Sequence, residues 1–175
     1  MFKIDFDLAA SARAEMVQNG FDPDFPPGTD EQIAALKRKT APAPVEDIRD
    51  LRGLLWSSID NDTSRDLDQI EFADRVSNGI RVLVGIADVD SGVEARTPID
   101  EHAAKETVTV YTAVRNFPML PEALSTDLTS LAEDQDRLAI VIEMIIDGNG
   151  SITSSSIYRG LVRNKAQLTY NAVGS

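Results

Sequence analysis

The chain has no cysteine and a single histidine, His102, among 175 residues. Without thiols there is no disulfide framework, no thiolate metal site and no cysteine nucleophile, and a reducing cytoplasm is the expected location. One histidine excludes multi-histidine metal sites. It also leaves a serine nucleophile only one conceivable base, and that base sits in the polar run Asp100-Glu101-His102, where a surface position is expected. No apolar run approaches the roughly 18–20 residues of a membrane span, and the N-terminus lacks a basic-then-apolar leader pattern. Positive charge is also scarce: 17 Lys and Arg face 29 Asp and Glu, for a net charge of −12. A generic nucleic-acid binder neutralises phosphates with Lys and Arg, so the bulk charge argues against one. The deficit is uneven, because residues from Arg137 onward sum to +2 and everything before them to −14.

What is present is a globular chain, with 42% hydrophobic residues and enough length for one core. Residues 8–19 read as a helix capped by Asp7 and stopped by Gly20. Phe21 to Gly28 holds three prolines and must be irregular. A second helix opens at Thr29, with Gln32 placed for a capping box, and closes on Lys37-Arg38-Lys39. Thr40 to Pro44 is a Pro/Ala linker, so residues 1–44 form an N-terminal helical segment and 45–175 the main domain. Strands are expected at Leu54–Ile59, Leu67–Phe72 and Ile80–Ala87, with Ser77-Asn78-Gly79 as a hairpin turn. Asp100 to Tyr111 reads as helical. Leu138–Ile146 reads as a strand buried on both faces, and Asp147-Gly148-Asn149-Gly150 turns the chain into a strand over Ser151–Val162. The expected fold is α+β: a mixed, mainly antiparallel sheet flanked by helices and preceded by two short helices.

The most informative segment runs from Ser58 to Glu71, where Asp60, Asp62, Asp66 and Asp68 fall within nine residues between two apolar strands. Carboxylates this close repel one another unless they splay into water or hold a cation. Hard oxygen ligands suit Mg²⁺, Mn²⁺ or Ca²⁺ rather than zinc. Two metal readings stay open beside the plain one of a solvated loop. In one, Asp60, Asp62, Ser64, Asp66, Asp68 and Glu71 follow EF-hand spacing, although the turn glycine is replaced by Arg65 and the flanks read as strands. In the other, carboxylate-held Mg²⁺ serves phosphodiester hydrolysis.

Several blocks along the chain resemble the opening half of the catalytic domain of the ribonuclease II/ribonuclease R family. They are Asp47-Ile48-Arg49-Asp50-Leu51-Arg52, the Asp60–Asp68 turn, Gly85-Ile86-Ala87-Asp88-Val89, Pro118-Met119-Leu120-Pro121, Leu124-Ser125, Ser130-Leu131, and Arg163 through Tyr170. The resemblance covers roughly Asp47 to Val173. It implies a Mg²⁺-dependent, or Mn²⁺-dependent, 3′→5′ exoribonuclease that converts single-stranded RNA to 5′-mononucleotides. The family's acidic pattern, D-x5-D-x-D-D, is implied at Asp60, Asp66 and Asp68 as metal ligands and catalytic residues, with Gln69 in the fourth place. A glutamine can hydrogen-bond water or phosphate but adds no negative charge. The same resemblance places Tyr111 as a base-stacking residue; Arg65 and Arg115 are candidate phosphate contacts, each equally able to pair with a neighbouring aspartate. Asp88 is read as a supporting residue. Since the family's catalytic domain is longer, the chain is expected to be its N-terminal half, weak or inactive alone and able to self-associate through an exposed sheet edge or apolar face. A degenerate RNA- or protein-binding module is the alternative.

Overall fold

A computed structural model of the chain describes residues 7–38 and 47–174. The linker and boundary expected at 40–44, and Lys39 of the basic run, lie outside these residues. Two compact units emerge. One joins the chain up to Arg38 with Val93–Glu122, and the other joins the chain through Gly92 with that from Ala123.

The first unit is mainly helical. Helix α1, Leu8–Gln18, is capped as expected: the Asp7 carboxylate accepts the Ala10 N–H at 3.0 Å. Helix α2, Thr29–Arg38, differs from expectation at its start. The Thr29 hydroxyl donates to the Pro26 carbonyl at 2.8 Å, so no capping box forms. Gln32 instead serves helix α3, Pro98–Glu106: its Oε1 accepts the Ile99 N–H and its Nε2 donates to the Thr97 hydroxyl. A helix that opens on proline thus has a first-turn N–H satisfied from outside. Helix α3 stops at Glu106 rather than running to Tyr111, and Thr107 leaves it in the left-handed region at φ 60°. The β-branched run Thr107–Val110 favours extended chain over helix. It leads into strand β5, Val110–Tyr111, which pairs antiparallel with β6, Asn116–Phe117. His102 is not on the surface: it is 5% exposed and packs tilted against Phe25 with ring centroids 4.4 Å apart, because α3 turns this face towards the proline-rich loop. Buried Glu106 holds the same loop by accepting the Asp22 N–H at 2.7 Å.

The second unit is built from β1 (Arg49–Asp50), β2 (Trp56–Asp60), β3 (Gln69–Val76), β4 (Gly79–Ala87), β7 (Asp136–Ile146) and β8 (Ile152–Thr169). A short helix α4, Tyr170–Val173, follows. The pairings run β8-β2-β3-β4-β7 and return from β7 to β8, so five strands close into a small barrel, with β1 added beside β8. All neighbours are antiparallel except β1–β8 and β2–β8. Closure needs the long β8: Ile152–Arg163 pairs with β7, and Asn164–Thr169 continues along β2. The expected end at Val162 therefore falls short.

Trp56, Leu67, Ile70, Leu83, Leu131, Ala139, Val141 and Val162 fill the barrel interior. Only Ala139 and Val141 are fully buried on β7, so that strand is not buried on both faces. Its even-numbered isoleucines lie on the outer face of the barrel, which is partly open to solvent. The β3–β4 hairpin turns on Ser77-Asn78, with Val76 opposite Gly79. Gly79 has φ 147°, and a Cβ there would lie 2.0 Å from the Ile146 carbonyl oxygen. Gly79→Ala is therefore expected to destabilise the barrel by roughly 3 kcal/mol or more, read as a lower urea midpoint at unchanged slope.

Candidate functional site

The acidic segment crosses from the end of β2 to the start of β3. Alternating burial in β2 puts Trp56 and Ser58 inside, and the strand ends at Asp60, opposite Thr169 of β8. Asp60 is shaped locally: its Oδ1 accepts both the Asn61 N–H and the Ser64 hydroxyl at 2.7 Å. Asn61, Asp62 and Thr63 are exposed, as are Arg65, Asp66, Asp68 and Gln69, whereas Leu67 between them is buried in the core. Leu67 therefore anchors a loop whose flanking carboxylates reach the surface, with that of Asp68 partly shielded from water.

Three other segments of the same unit hold this loop. The Ser130 hydroxyl donates to the Arg65 carbonyl at 2.9 Å and accepts the Leu67 N–H at 3.2 Å. The Leu131 N–H donates to the Leu67 carbonyl at 2.8 Å. The Gln167 amide reaches the Ser64 carbonyl at 3.4 Å, and Ala87 N–H donates to the Asp68 carbonyl at 2.9 Å. Buried Asn164 ties the supports together by donating to both Ser58 Oγ and the Leu131 carbonyl. These contacts explain why blocks far apart in sequence, at Gly85–Val89, Ser130-Leu131 and Arg163–Tyr170, accompany the acidic turn. Ser130, Asn164 and Gln167 carry no charge pattern of their own, so spacing alone did not mark them as site residues, and Ser64 was marked only through the EF-hand spacing.

Burial raises the pKa of Asp68, and the charges of Asp66 and then Asp60 raise it further. Glu71, on β3 two residues beyond Gln69, is also raised by burial, and its Oε2 is enclosed without a hydrogen-bond partner among the described residues. Gln69, the first residue of β3, is exposed. Among the described residues, no three Asp, Glu or His side chains converge closely enough to enclose an ion on their own. The donors on the loop are exposed carboxylate oxygens, the hard kind that Mg²⁺ or Mn²⁺ would take together with water. An EF-hand would be flanked by helices, whereas β2 and β3 are strands.

The remaining candidates are placed as follows. Arg65 is exposed on the acidic loop. Tyr111 and Arg115 belong to the other compact unit. Tyr111 is 70% exposed on β5 rather than packed at a helix end. Arg115 closes the β5–β6 turn and lays its guanidinium over the Phe117 ring at 4.6 Å, so its visible partner is an aromatic face rather than an aspartate.

The family model for the RNB domain matches residues 48–175. Ribonuclease R of Escherichia coli is 35% identical over 150 residues, covering 85% of this chain and 18% of that protein. Ribonuclease R of Acidithiobacillus ferrooxidans is 36% identical over 149 residues, covering 83% of this chain and 34% of that protein. The structure of Mycoplasma genitalium RNase R with ribose-methylated single-stranded RNA superposes at a TM-score of 0.82 and 27% identity, over 94% of this chain and 26% of that one. The same enzyme with double-stranded RNA gives 0.82 and 27% over 95% and 30%. The chain thus spans a fifth to a third of the length of such relatives.

Proposed function

The chain belongs to the RNB domain family, and from that premise we propose that it carries the carboxylate cluster of a Mg²⁺-dependent 3′→5′ exoribonuclease that shortens single-stranded RNA to 5′-mononucleotides. The observation that carries this reading is the gathering of Asp60, Asp66 and Asp68 on one loop at the end of β2, where burial raises the pKa of Asp68 and the charges of Asp66 and Asp60 raise it further. Such a cluster has a use only when positive charge arrives. A bound Mg²⁺, or Mn²⁺ in its place, supplies charge neutralisation on a phosphodiester and activation of water. The chain's own residues hold and orient. Asp60, fixed on Oδ1 by Ser64 and the Asn61 N–H, presents a pre-set carboxylate at the strand end. Asp66 and Asp68 present theirs on either side of the Leu67 anchor, and Gln69 offers an NH2 group with two donors and a carbonyl acceptor to water or phosphate. Exposed Tyr111 provides a ring for sequence-tolerant stacking on a base. Arg65 and Arg115 provide phosphate contacts. RNA-bound structures of the Mycoplasma relative support RNA as the substrate class.

Alone, this chain is expected to be a weak or inactive nuclease, since it spans a minor share of its relatives' length. The test is poly(A) with the chain and Mg²⁺ or Mn²⁺. The expected result is slow release of 5′-mononucleotides that stops with EDTA and with Asp60→Asn. Release indifferent to both would sink the reading.

A second reading, a degenerate module that binds RNA without cutting it, is favoured by one observation: the fourth acidic place is an exposed amide, Gln69. Gln69→Asp separates the two. An adapted site shows no gain, or a loss, in mononucleotide release; a gain of roughly a hundredfold, the scale of one missing charge-stabilising group, marks degeneration.

A further inference from the structure

One buried carboxylate lies outside the site as described so far. Asp88 follows β4 directly, and its side chain is 2% exposed. Its Oδ1 accepts the Ser91 N–H at 3.3 Å, capping the single 3-10 turn Val89–Ser91. Its Oδ2 makes no well-formed hydrogen bond among the described residues, yet lies 3.0 Å from Arg159 Nε. Arg159 is half exposed, and its Nη2 also approaches exposed Asp90 at 3.5 Å. A buried carboxylate tolerates its charge only beside a cation. Arg159 is therefore required where it is.

The location of this pair gives it a task. Ile86 stands opposite Gln69 on one side and Ile140 on the other, and Ile140 stands opposite Arg159. Arg159 on β8 thus reaches over β7 to the end of β4. At that end the Ala87 N–H bonds the Asp68 carbonyl and the Asp88 N–H bonds the Leu138 carbonyl. We infer that Asp88 is a positioning residue for Asp68: clamped by Arg159 across β7, it fixes the end of β4 and so the backbone that presents the Asp68 carboxylate.

Asp88 touches no substrate in this assignment, and its consequence for metal rests on the function proposed above. Two readouts on the 175-residue chain separate them. Amide exchange reports the Ala87 N–H, which bonds Asp68, with the mid-strand Leu83 N–H as reference. Calorimetry reports Mg²⁺ binding. In Arg159→Gln, the Ala87 amide is expected to exchange about tenfold faster with Leu83 unchanged, and Mg²⁺ to bind roughly 10–100-fold more weakly, the usual cost of losing an orienting partner. Arg159→Lys keeps the cation and should restore most of both. Asp88→Asn should repeat the Arg159→Gln result, and if it fails to fold, Arg159→Gln carries the test alone. The clamp is overturned if Ala87 protection is unchanged in Arg159→Gln, or if Ala87 and Leu83 accelerate together. A wild-type chain that binds no Mg²⁺ but shows the selective Ala87 change keeps the clamp and removes the metal reading.

Discussion

Asp68→Asn is expected to lower Mg²⁺-dependent nucleotide release by about a hundredfold or more, while making the metal-free protein more heat-stable at neutral pH. The two effects share one cause. The pKa of Asp68 is raised by burial and by the charges of Asp66 and Asp60. An acid whose pKa is raised on folding adds stability below its unfolded pKa, and that contribution is lost as pH rises through the folded value. At pH 7 the ionised cluster thus works against the fold, and at pH 4 much less so. The amide introduced by Asp68→Asn cannot ionise, so the penalty disappears with the function. Thermal melts in EDTA should show the variant above wild type at pH 7, with the gap closing towards pH 4. Adding Mg²⁺ should raise the wild-type melt by mass action and leave the variant nearly unmoved. Equal metal-induced shifts in both proteins would mean that Asp68 holds no cation.

This opposition between stability and charge is what the sequence showed most clearly. Four aspartates framed by apolar strands are a local pattern, and local patterns survive without a structure. The Asp7 cap, the Ser77-Asn78 turn and the Asp147 turn, where one carboxylate accepts the N–H groups of Asn149 and Ser151, are equally local. What stayed hidden depends on contacts between distant residues. The register that sets Asp60 beside Thr169 extends β8 past Val162, and no periodicity within β8 announces it. Polar His102 is buried because Phe25 of the proline-rich loop covers it. Gln32 leaves its own helix start for the N-terminus of α3, which spacing within α2 cannot foresee. In the site itself the charged residues were legible and the uncharged ones that hold them were not. Ser130 and Asn164 each act through two hydrogen bonds to partners more than thirty residues away.

The second large effect is on the fold, and it reaches the site through the same strand. Trp56→Ala is expected to cost roughly 3–5 kcal/mol, the range for deleting a large buried aromatic. Trp56 is the chain's single tryptophan and is fully buried. It tilts against Phe72 with ring centroids 6.2 Å apart, and it fills the space left by Gly85, where a Cβ would already lie 3.1 Å from Ile70. Its indole N–H donates to the Leu51 carbonyl at 2.9 Å, and removing that donor leaves the acceptor only the longer bond from the Leu54 N–H at 3.2 Å. Domains of this size have about 5–15 kcal/mol in total, so a large share of the margin goes with one side chain. Trp56→Phe should cost less, since a ring still meets Phe72 although the bond to Leu51 is lost. Circular dichroism in urea is the appropriate readout, because both variants remove the fluorophore. Trp56 also begins β2, four residues before Asp60. A cavity there loosens the strand that carries the first carboxylate, so Mg²⁺ affinity should fall in Trp56→Ala even at temperatures where circular dichroism shows the barrel folded. Unchanged affinity in the folded variant would mean that the carboxylate loop is held by Ser130, Gln167 and Ala87 alone, independently of the core beneath it.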